Sequence, residues 1–319
     1  MTLIRLWRAK HNNRLVLTYA LASGYVSLAI AEFGDNDPEH APALIVSDHI
    51  EVINSDFAAA IRELSNRYSR YTKGSPMAVV ILGPSVYQSV QLERPNLPVE
   101  EITQALRYNL RDLVSLPPTD IVADYYDAPV QLAGQDKINA IVADRKVLKP
   151  VLNEIHQVTE NILGIFSEEQ AIAQLFTDQN EPAVVAYQHD LEPALLQVYA
   201  QGKLQVNRVV RSLEQLSLLG ADEIDLGGAS PLSVEVQRSA DYFERQLRQR
   251  PIRELIIAVG SKHRQSIAKQ LNQDLGLESR WVEYPEWARE LAVGDFSDFP
   301  VLGGVMLAQR LRNAKQVAA

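Results

Sequence analysis

Gly260-Ser261 is the place in this chain best suited to phosphate chemistry. Leu255-Ile256-Ile257-Ala258-Val259 precedes it and is too apolar for a half-exposed strand, so it reads as buried on both faces. A helix follows, carrying Ile267, Leu271 and Leu275 on one face and closed by Gly276. A buried strand that ends in a glycine turn at a helix N-terminus is where α/β proteins hold phosphates or nucleotides, because unsatisfied N–H groups and the helix dipole face the anion there. Ser23-Gly24 makes a second glycine turn, between the strand-like runs Leu15–Ala22 and Tyr25–Phe33. Other chemistry is poorly served. With no cysteine, disulfides, thiol catalysis and cysteine-ligated metals are excluded. The six histidines (His11, His40, His49, His156, His189, His263) show no HExxH spacing or close pairing, so no metal site is expected. Gly227-Gly228 and Gly303-Gly304 lack the spacing of a dinucleotide fingerprint. Glu168-Glu169 and Asp222-Glu223 are acidic pairs in polar surroundings and are expected to be solvated.

The elements that must position these turns follow from periodicity. Ahead of the apolar strand, Val236, Ala240, Phe243 and Leu247 form one helical stripe, with Asp241–Arg245 and Glu244–Arg248 as ion pairs on the wet side. Arg250-Pro251 stops that helix. Near the N-terminus, the Leu15–Phe33 hairpin is followed by two short strand candidates, Ala43–Val46 and Ile50–Asn54. Ser55 or Asp56 then caps a helix with Phe57, Ala60, Ile61, Leu64 and Tyr68 on its face, and Met77–Leu82 is a second buried strand. Between residues 86 and 162 the order is strand, helix, two strands, long helix, which suggests a small α+β unit inserted in the first domain. Leu163–Phe166 and a helix from Ser167 to Leu175 form the crossover to a second domain. That domain opens with a meander of Ala183–Tyr187, Ala194–Ala200 and Leu204–Val210, so the two domains suggest an ancient duplication. Pro300–Ala308 runs into a helix bearing Arg310 and Arg312.

A chain of 319 residues has room for two domains, and its net charge of -9 argues against a general nucleic-acid binder. Leu15 to Ala31 contains no charge and approaches the length of a membrane span, but its polar residues and the Ser23-Gly24 turn make it a hairpin in a soluble protein. Leu3, Ile4, Leu6 and Trp7 interleave with Arg5, Arg8 and Lys10. This leader is expected to pack Trp7 on the domain edge, the alternative being contact of Arg5, Trp7, Arg8 and Lys10 with an anionic membrane surface or a partner.

VQRSADYFERQL followed by IRELIIAVGSKH, VYAQGKLQVNRVV in the meander, and INAIVADRKVLKPVLNEIHQVTENILGIFSEEQAIAQL together resemble the PilM family of type IV pilus assembly proteins, nearest to its MshI branch of the mannose-sensitive haemagglutinin pilus. ERPNLPVEEITQALRYNLRDLVSLPPTDIVADYY matches the first half of that family's inserted subdomain in layout. The resemblance covers most of the chain through diffuse apolar patterns. It implies an α/β, actin-like (ribonuclease H-like) two-domain fold, similar to the cell-division protein FtsA and the cytoplasmic part of the secretion protein GspL. In these terms, residues 1–166 are the first domain with an insert at about 84–162, and 167–319 are the second, its C-terminal helix packing back towards the first. The implied role is a cytoplasmic scaffold at the inner face of the inner membrane, with the tail of a PilN-like (MshJ-like) protein in a groove between first domain and insert. The pilus assembly ATPase and further copies of the chain are additional partners the resemblance allows.

An actin-like ATPase needs two phosphate hairpins of the type Asp-x-Gly-Ser/Thr, whose aspartates organise metal and water. The first hairpin instead has roughly Tyr19 and Leu21 at the aspartate and glycine positions, ahead of Ser23 and Gly24. The second reads Val184 to Asp190 without the motif, leaving His189 and Asp190 in the degenerate pocket. The adenosine-side turn is reduced to Val259-Gly260-Ser261. The expectation is a pseudo-ATPase: no catalytic residue, no metal and no required cofactor, with ATP admitted but not hydrolysed. The alternatives are an active ATPase of this fold and a GspL-like secretion component. GspL-type chains continue into a membrane span, whereas this one ends at Ala319, which ranks that alternative lower.

Overall fold

The computed structural model describes residues 12–34, 40–132, 134–189 and 192–317. Arg5, Trp7, Arg8, Lys10 and Asp190 lie outside them. The chain forms β1 (Asn12–Leu21), β2 (Tyr25–Glu32), β3 (Ala43–Glu51), α1 (Phe57–Arg67), β4 (Pro76–Leu82), β5 (Tyr87–Glu93) and α2 (Val99–Asn109). Then come β6 (Ile121–Asp127), β7 (Lys137–Asp144), α3 (Arg145–Val158), β8 (Ile162–Ser167), α4 (Glu168–Ile172), β9 (Ala183–Gln188), β10 (Ala194–Ala200) and β11 (Lys203–Val210). The rest is α5 (Ala221–Asp225), α6 (Ser230–Asp241), β12 (Glu254–Val259), α7 (Arg264–Leu275), β13 (Glu278–Trp281) and α8 (Phe299–Val317).

Two five-stranded sheets share one plan: β3-β2-β1-β4-β8 and β11-β10-β9-β12-β13. In each, three antiparallel strands meet two parallel ones at the first strand of the meander. The strand order of the first sheet is therefore repeated in the second. Both faces of each sheet are covered, which is why β4 and β12 read as unbroken apolar runs. Alternation along β1 sends Leu17, Tyr19 and Leu21 to a core shared with α1 and α3, and Val16 and Ala20 to one shared with α8. In the second sheet Leu255, Ile257 and Val259 face α6 and α7, while Ile256 and Ala258 face Phe299 and Leu302 of α8. Helix α8 thus lies between the two sheets. It crosses α4 closely through Gly303, where a Cβ would sit 2.1 Å from the carbonyl oxygen of Ala171.

The insert is a three-stranded sheet, β5-β7-β6, with Ile102 and Leu106 of α2 and the following Leu110 on one face. Helix α3 leaves β7 and packs against α1 over the first sheet, in the core containing Val151 and Ile155.

Four local expectations change. The two short strands after the first loop are one strand, β3, whose polar Ser47, Asp48 and His49 are tolerated because β3 is a sheet edge. Helix α6 ends at Asp241 and continues as a π-turn over Tyr242–Gln246, which keeps Phe243 and Leu247 buried. The Asp241–Arg245 pair forms at 3.4 Å, but Glu244 turns to the Ile252 amide at 2.8 Å instead of to Arg248. Finally, α8 begins at Phe299, so Pro300–Ala308 is itself helical rather than a segment running into the helix.

Candidate functional site

The turn after β1 and the segment after β9 touch across the two domains through Ser23–Glu192 and Tyr25–His189, where the sequence puts a nucleotide pocket. The Ser23-Gly24 turn is exposed, and the Ser23 N–H donates to Oε1 of Glu192 at 2.6 Å. The other Glu192 oxygen accepts from the Ser85 hydroxyl at 2.7 Å, and Glu192 itself is buried. A carboxylate from the second domain thus bridges an amide and a hydroxyl of the first. Beside it, the Tyr25 hydroxyl bonds to Nδ1 of buried His189. On the far side of that ring, Nε2 stands 3.7 Å from Oε2 of Glu168.

Glu168 and Glu169 occupy the first turn of α4, directly at the end of β8, and are almost fully buried at 1% and 0% exposure. The expectation that this pair is solvated is wrong. Tertiary partners bury it: Glu169 accepts from the Tyr87 and Tyr126 hydroxyls of the insert, the latter at 2.7 Å, and from Asn207 Nδ2 of the second domain at 2.9 Å. One carboxylate therefore ties together the crossover helix, the insert and the second sheet. Burial raises the Glu169 pKa, opposed by those hydroxyl donors. Burial likewise raises that of Glu168, opposed by His189 and reinforced by Glu192. Oε1 of Glu168 and Oγ1 of Thr18 are buried with no hydrogen-bond partner. Among the described residues no three His, Asp or Glu side chains converge as metal ligands.

Gly260 follows β12, whose Val259 stands opposite Gln188 of β9, so its turn starts next to the strand end that carries His189. The close approach a glycine permits is used inside the protein, since a Cβ at Gly260 would lie 2.7 Å from the carbonyl oxygen of Asp295. Ser261, buried, accepts from the His263 amide at 3.1 Å at the start of α7. Of the residues singled out from sequence, Ser23 and His189 meet in the domain seam, Gly24 holds the Val52 amide through its carbonyl, and Gly260-Ser261 packs on the 294–296 loop. The sequence reading missed Tyr25, Ser85, Glu168, Glu169 and Glu192. One signal was available for Glu168 and Glu169: two acids opening a helix at the carboxyl end of a buried parallel strand, where α/β folds place their sites.

A second feature lies between the first domain and the insert. Strand β8 is one edge of the first sheet, β3 being the other, and β6 is one edge of the insert sheet. Between them runs a groove of about 480 Å³ with an apolar floor of Leu82, Ile141, Leu148, Ile165 and Phe166. Tyr126 lines this groove with its ring while its hydroxyl holds Glu169.

No family model and no curated protein sequence matches this chain. Solved structures do. A "PilM-PilN type IV pilus biogenesis complex" aligns over 93% of this chain and 98% of its own, with 16% identity and a TM-score of 0.65. A Bacteroides thetaiotaomicron protein with an actin-like ATPase fold and unknown function aligns over 88% and 94%, with 10% identity and a TM-score of 0.53. The cytoplasmic domain of EpsL, an inner-membrane component of the Vibrio cholerae type II secretion system, aligns over 96% and 95%, with 14% identity and a TM-score of 0.47. The chain has the two-domain actin-like ATPase fold. No helix among the described residues is long and apolar enough to cross a membrane.

Proposed function

We propose that this protein is a non-hydrolysing, actin-like scaffold of a type IV (MSHA-like) pilus assembly platform, of the PilM type and nearest its MshI branch. It works at the cytoplasmic face of the inner membrane and binds the cytoplasmic tail of a PilN-like protein in the groove between β6 and β8. The observation that carries the reading is the filled cleft: Glu192 occupies the Ser23 amide and the Ser85 hydroxyl, where a phosphate would have to bind. A phosphate approaching this point meets a carboxylate instead of a free donor, and Glu168 adds a second carboxyl group nearby. On this reading the Ser23 turn has no free donor left for a nucleotide phosphate. The groove, by contrast, is open, apolar and bounded by two strand edges, which suits an extended peptide that gains affinity from main-chain pairing. The similarity to a structure described as a PilM-PilN complex supports the choice of partner.

Two measurements test this. In a thermal-shift series, Mg-ATP leaves the melting temperature unchanged and no phosphate is released; a dose-dependent rise with turnover would make the protein an active ATPase. In a pull-down of inner-membrane proteins followed by mapping of the bound peptide, the captured segment protects residues of β6 and β8 from hydrogen exchange. Protection elsewhere refutes the groove as the site.

A further inference from the structure

Charge is unevenly placed along this chain. Its first acidic residue is Glu32, and the leader before β1 carries Arg5, Arg8 and Lys10. Three other segments meet where β1 begins. The Asn12 N–H donates to the Gly74 carbonyl at 2.8 Å, which brings in the loop of Arg70 and Lys73. The Phe33 N–H donates to the Arg14 carbonyl at 2.8 Å, which sets the end of β2 alongside. Arg312 of α8 donates from Nη2 to the Gly34 carbonyl at 2.9 Å and covers the Phe33 ring, so the last turns of α8, with Arg310 and Lys315, finish at the same pole. Arg70, Lys73, Arg310 and Lys315 are exposed, and none forms an ion pair with a described residue. The acids here are Glu32, paired with Arg14 at 3.0 Å, Glu160 ahead of β8, and the three of residues 35–39. Over residues 1–14, 32–40, 69–76, 159–161 and 305–319, nine cations stand against five acids. The pole therefore carries +4 in a chain of net charge -9, and the remainder carries -13.

Charge alone would suit an acidic protein as well as a membrane. The leader separates the two, because it sets apolar residues among the cations. At helical spacing Leu3, Leu6 and Trp7 share one face, and Arg5 and Arg8 fall on the other. That pattern suits the boundary of an anionic bilayer, where the apolar face enters the acyl region and the cations meet headgroup phosphates. A soluble acidic partner gives no account of the apolar face.

We infer that this pole and the leader together dock the first domain on an anionic phospholipid surface. The inference rests on placing the protein at the inner membrane and is independent of the peptide groove. The groove reaches Leu82 and Ser167, the last residues of β4 and β8, whereas the pole lies where those strands begin. Lipid contact at the pole therefore leaves the groove open.

The test sediments the full chain with vesicles of phosphatidylcholine alone or mixed with an equal part of phosphatidylglycerol. Binding is expected to the mixed vesicles only, and added salt weakens it. Tryptophan emission shifts to the blue on binding, and Trp7→Phe removes the shift. Arg70→Gln with Lys73→Gln should weaken binding about 30-fold, at about fivefold for each cation held near an anionic surface. Arg5→Gln with Arg8→Gln should weaken it by a similar factor. All four variants are judged at unchanged circular dichroism. Equal sedimentation with both vesicles, or none with either, overturns the inference and leaves the groove to its own hydrogen-exchange test. A loss confined to the Arg5→Gln, Arg8→Gln chain overturns the part assigned to the pole. Polyglutamate that binds as tightly as the mixed vesicles, with no change in emission, makes the pole a protein-docking surface and overturns lipid contact.

Discussion

Glu192→Ala is the perturbation that reaches furthest into the domain seam. In the folded chain the Glu192 carboxylate accepts two hydrogen bonds across the seam, 2.6 Å from the Ser23 amide and 2.7 Å from the Ser85 hydroxyl. Hydrogen bonds to a charged group contribute about 1.5–3 kcal/mol each. Ser23 is exposed, so water can take back its amide, and the loss falls at the low end, about 2–3 kcal/mol in total. For a domain of this size that is a fall in melting temperature of roughly 4–10 °C. Glu192→Gln keeps an acceptor for Ser23 without the charge and should cost about 1 kcal/mol. The informative step is chemical rescue. Removing the side chain leaves an anion-sized space facing the Ser23 amide and Ser85, so sulfate or phosphate should restore stability to the alanine variant alone. If the anion binds with a Kd of about 10 mM, 100 mM returns about 1.4 kcal/mol by mass action. Rescue should improve as pH falls, because burial raises the pKa of neighbouring Glu168 and the protonated form no longer repels the anion. An alanine variant as stable as the parent, or sulfate shifting both proteins equally, would refute the idea that Glu192 fills an anion position.

Two further outcomes follow from the packing and the buried acids. Gly303→Ala places a Cβ 2.1 Å from the Ala171 carbonyl oxygen, so α4 and α8 must separate; urea denaturation should show a loss of about 2–4 kcal/mol, and the stabilisation expected of alanine in a free helix would contradict this contact. Glu168 and Glu169 both have folded-state pKa values raised by burial, so the folded chain binds protons that the unfolded chain has already released. Stability from these groups is fully present below an ordinary carboxylate pKa of about 4.3 and declines as pH rises through the raised values, by at most about 1.4 kcal/mol per pH unit per group. Glu169→Gln should flatten that decline in a melting-temperature series from pH 5 to 8, and an unchanged slope would show that Glu169 does not titrate there.

The fold was legible because its signals are local. Unbroken apolar runs mark β4 and β12 as strands covered on both faces, and Asp56 and Gly276 mark helix ends through side-chain and left-handed caps. Where the reading slipped, a tertiary contact had overruled local preference. Ser47-Asp48-His49 looks like a break between two strands, yet Asp48 is held by Arg67 and Tyr68 of the helix behind, and the strand continues. Gly303-Gly304 shows in sequence only that it lacks the spacing of a dinucleotide fingerprint. Its glycines serve instead to let α8 touch α4 and β1, a demand that becomes visible only when the partner helix is in place.

The seam was harder to read for a physical reason. Nothing adjacent to Glu168-Glu169 in sequence predicts burial; the hydroxyls that satisfy Glu169 come from 82 and 43 residues upstream and the amide from 38 downstream. A search of the hairpins for aspartate and glycine looks for an acid that would hold metal, and it passes over Glu192, which lies just beyond the second hairpin's strand and reaches back into the first. The same carboxylate chemistry serves opposite ends according to what faces it. Opposite a cation it would serve as a ligand, whereas opposite the Ser23 amide it accepts a hydrogen bond across the domain seam. Tyr126 extends the consequence outward, because one side chain lines the groove and holds Glu169. A peptide that shifts the Tyr126 ring must therefore act on the bond that ties the insert to the second domain. In this fold the groove and the interior of the domain seam meet at Tyr126 and Glu169.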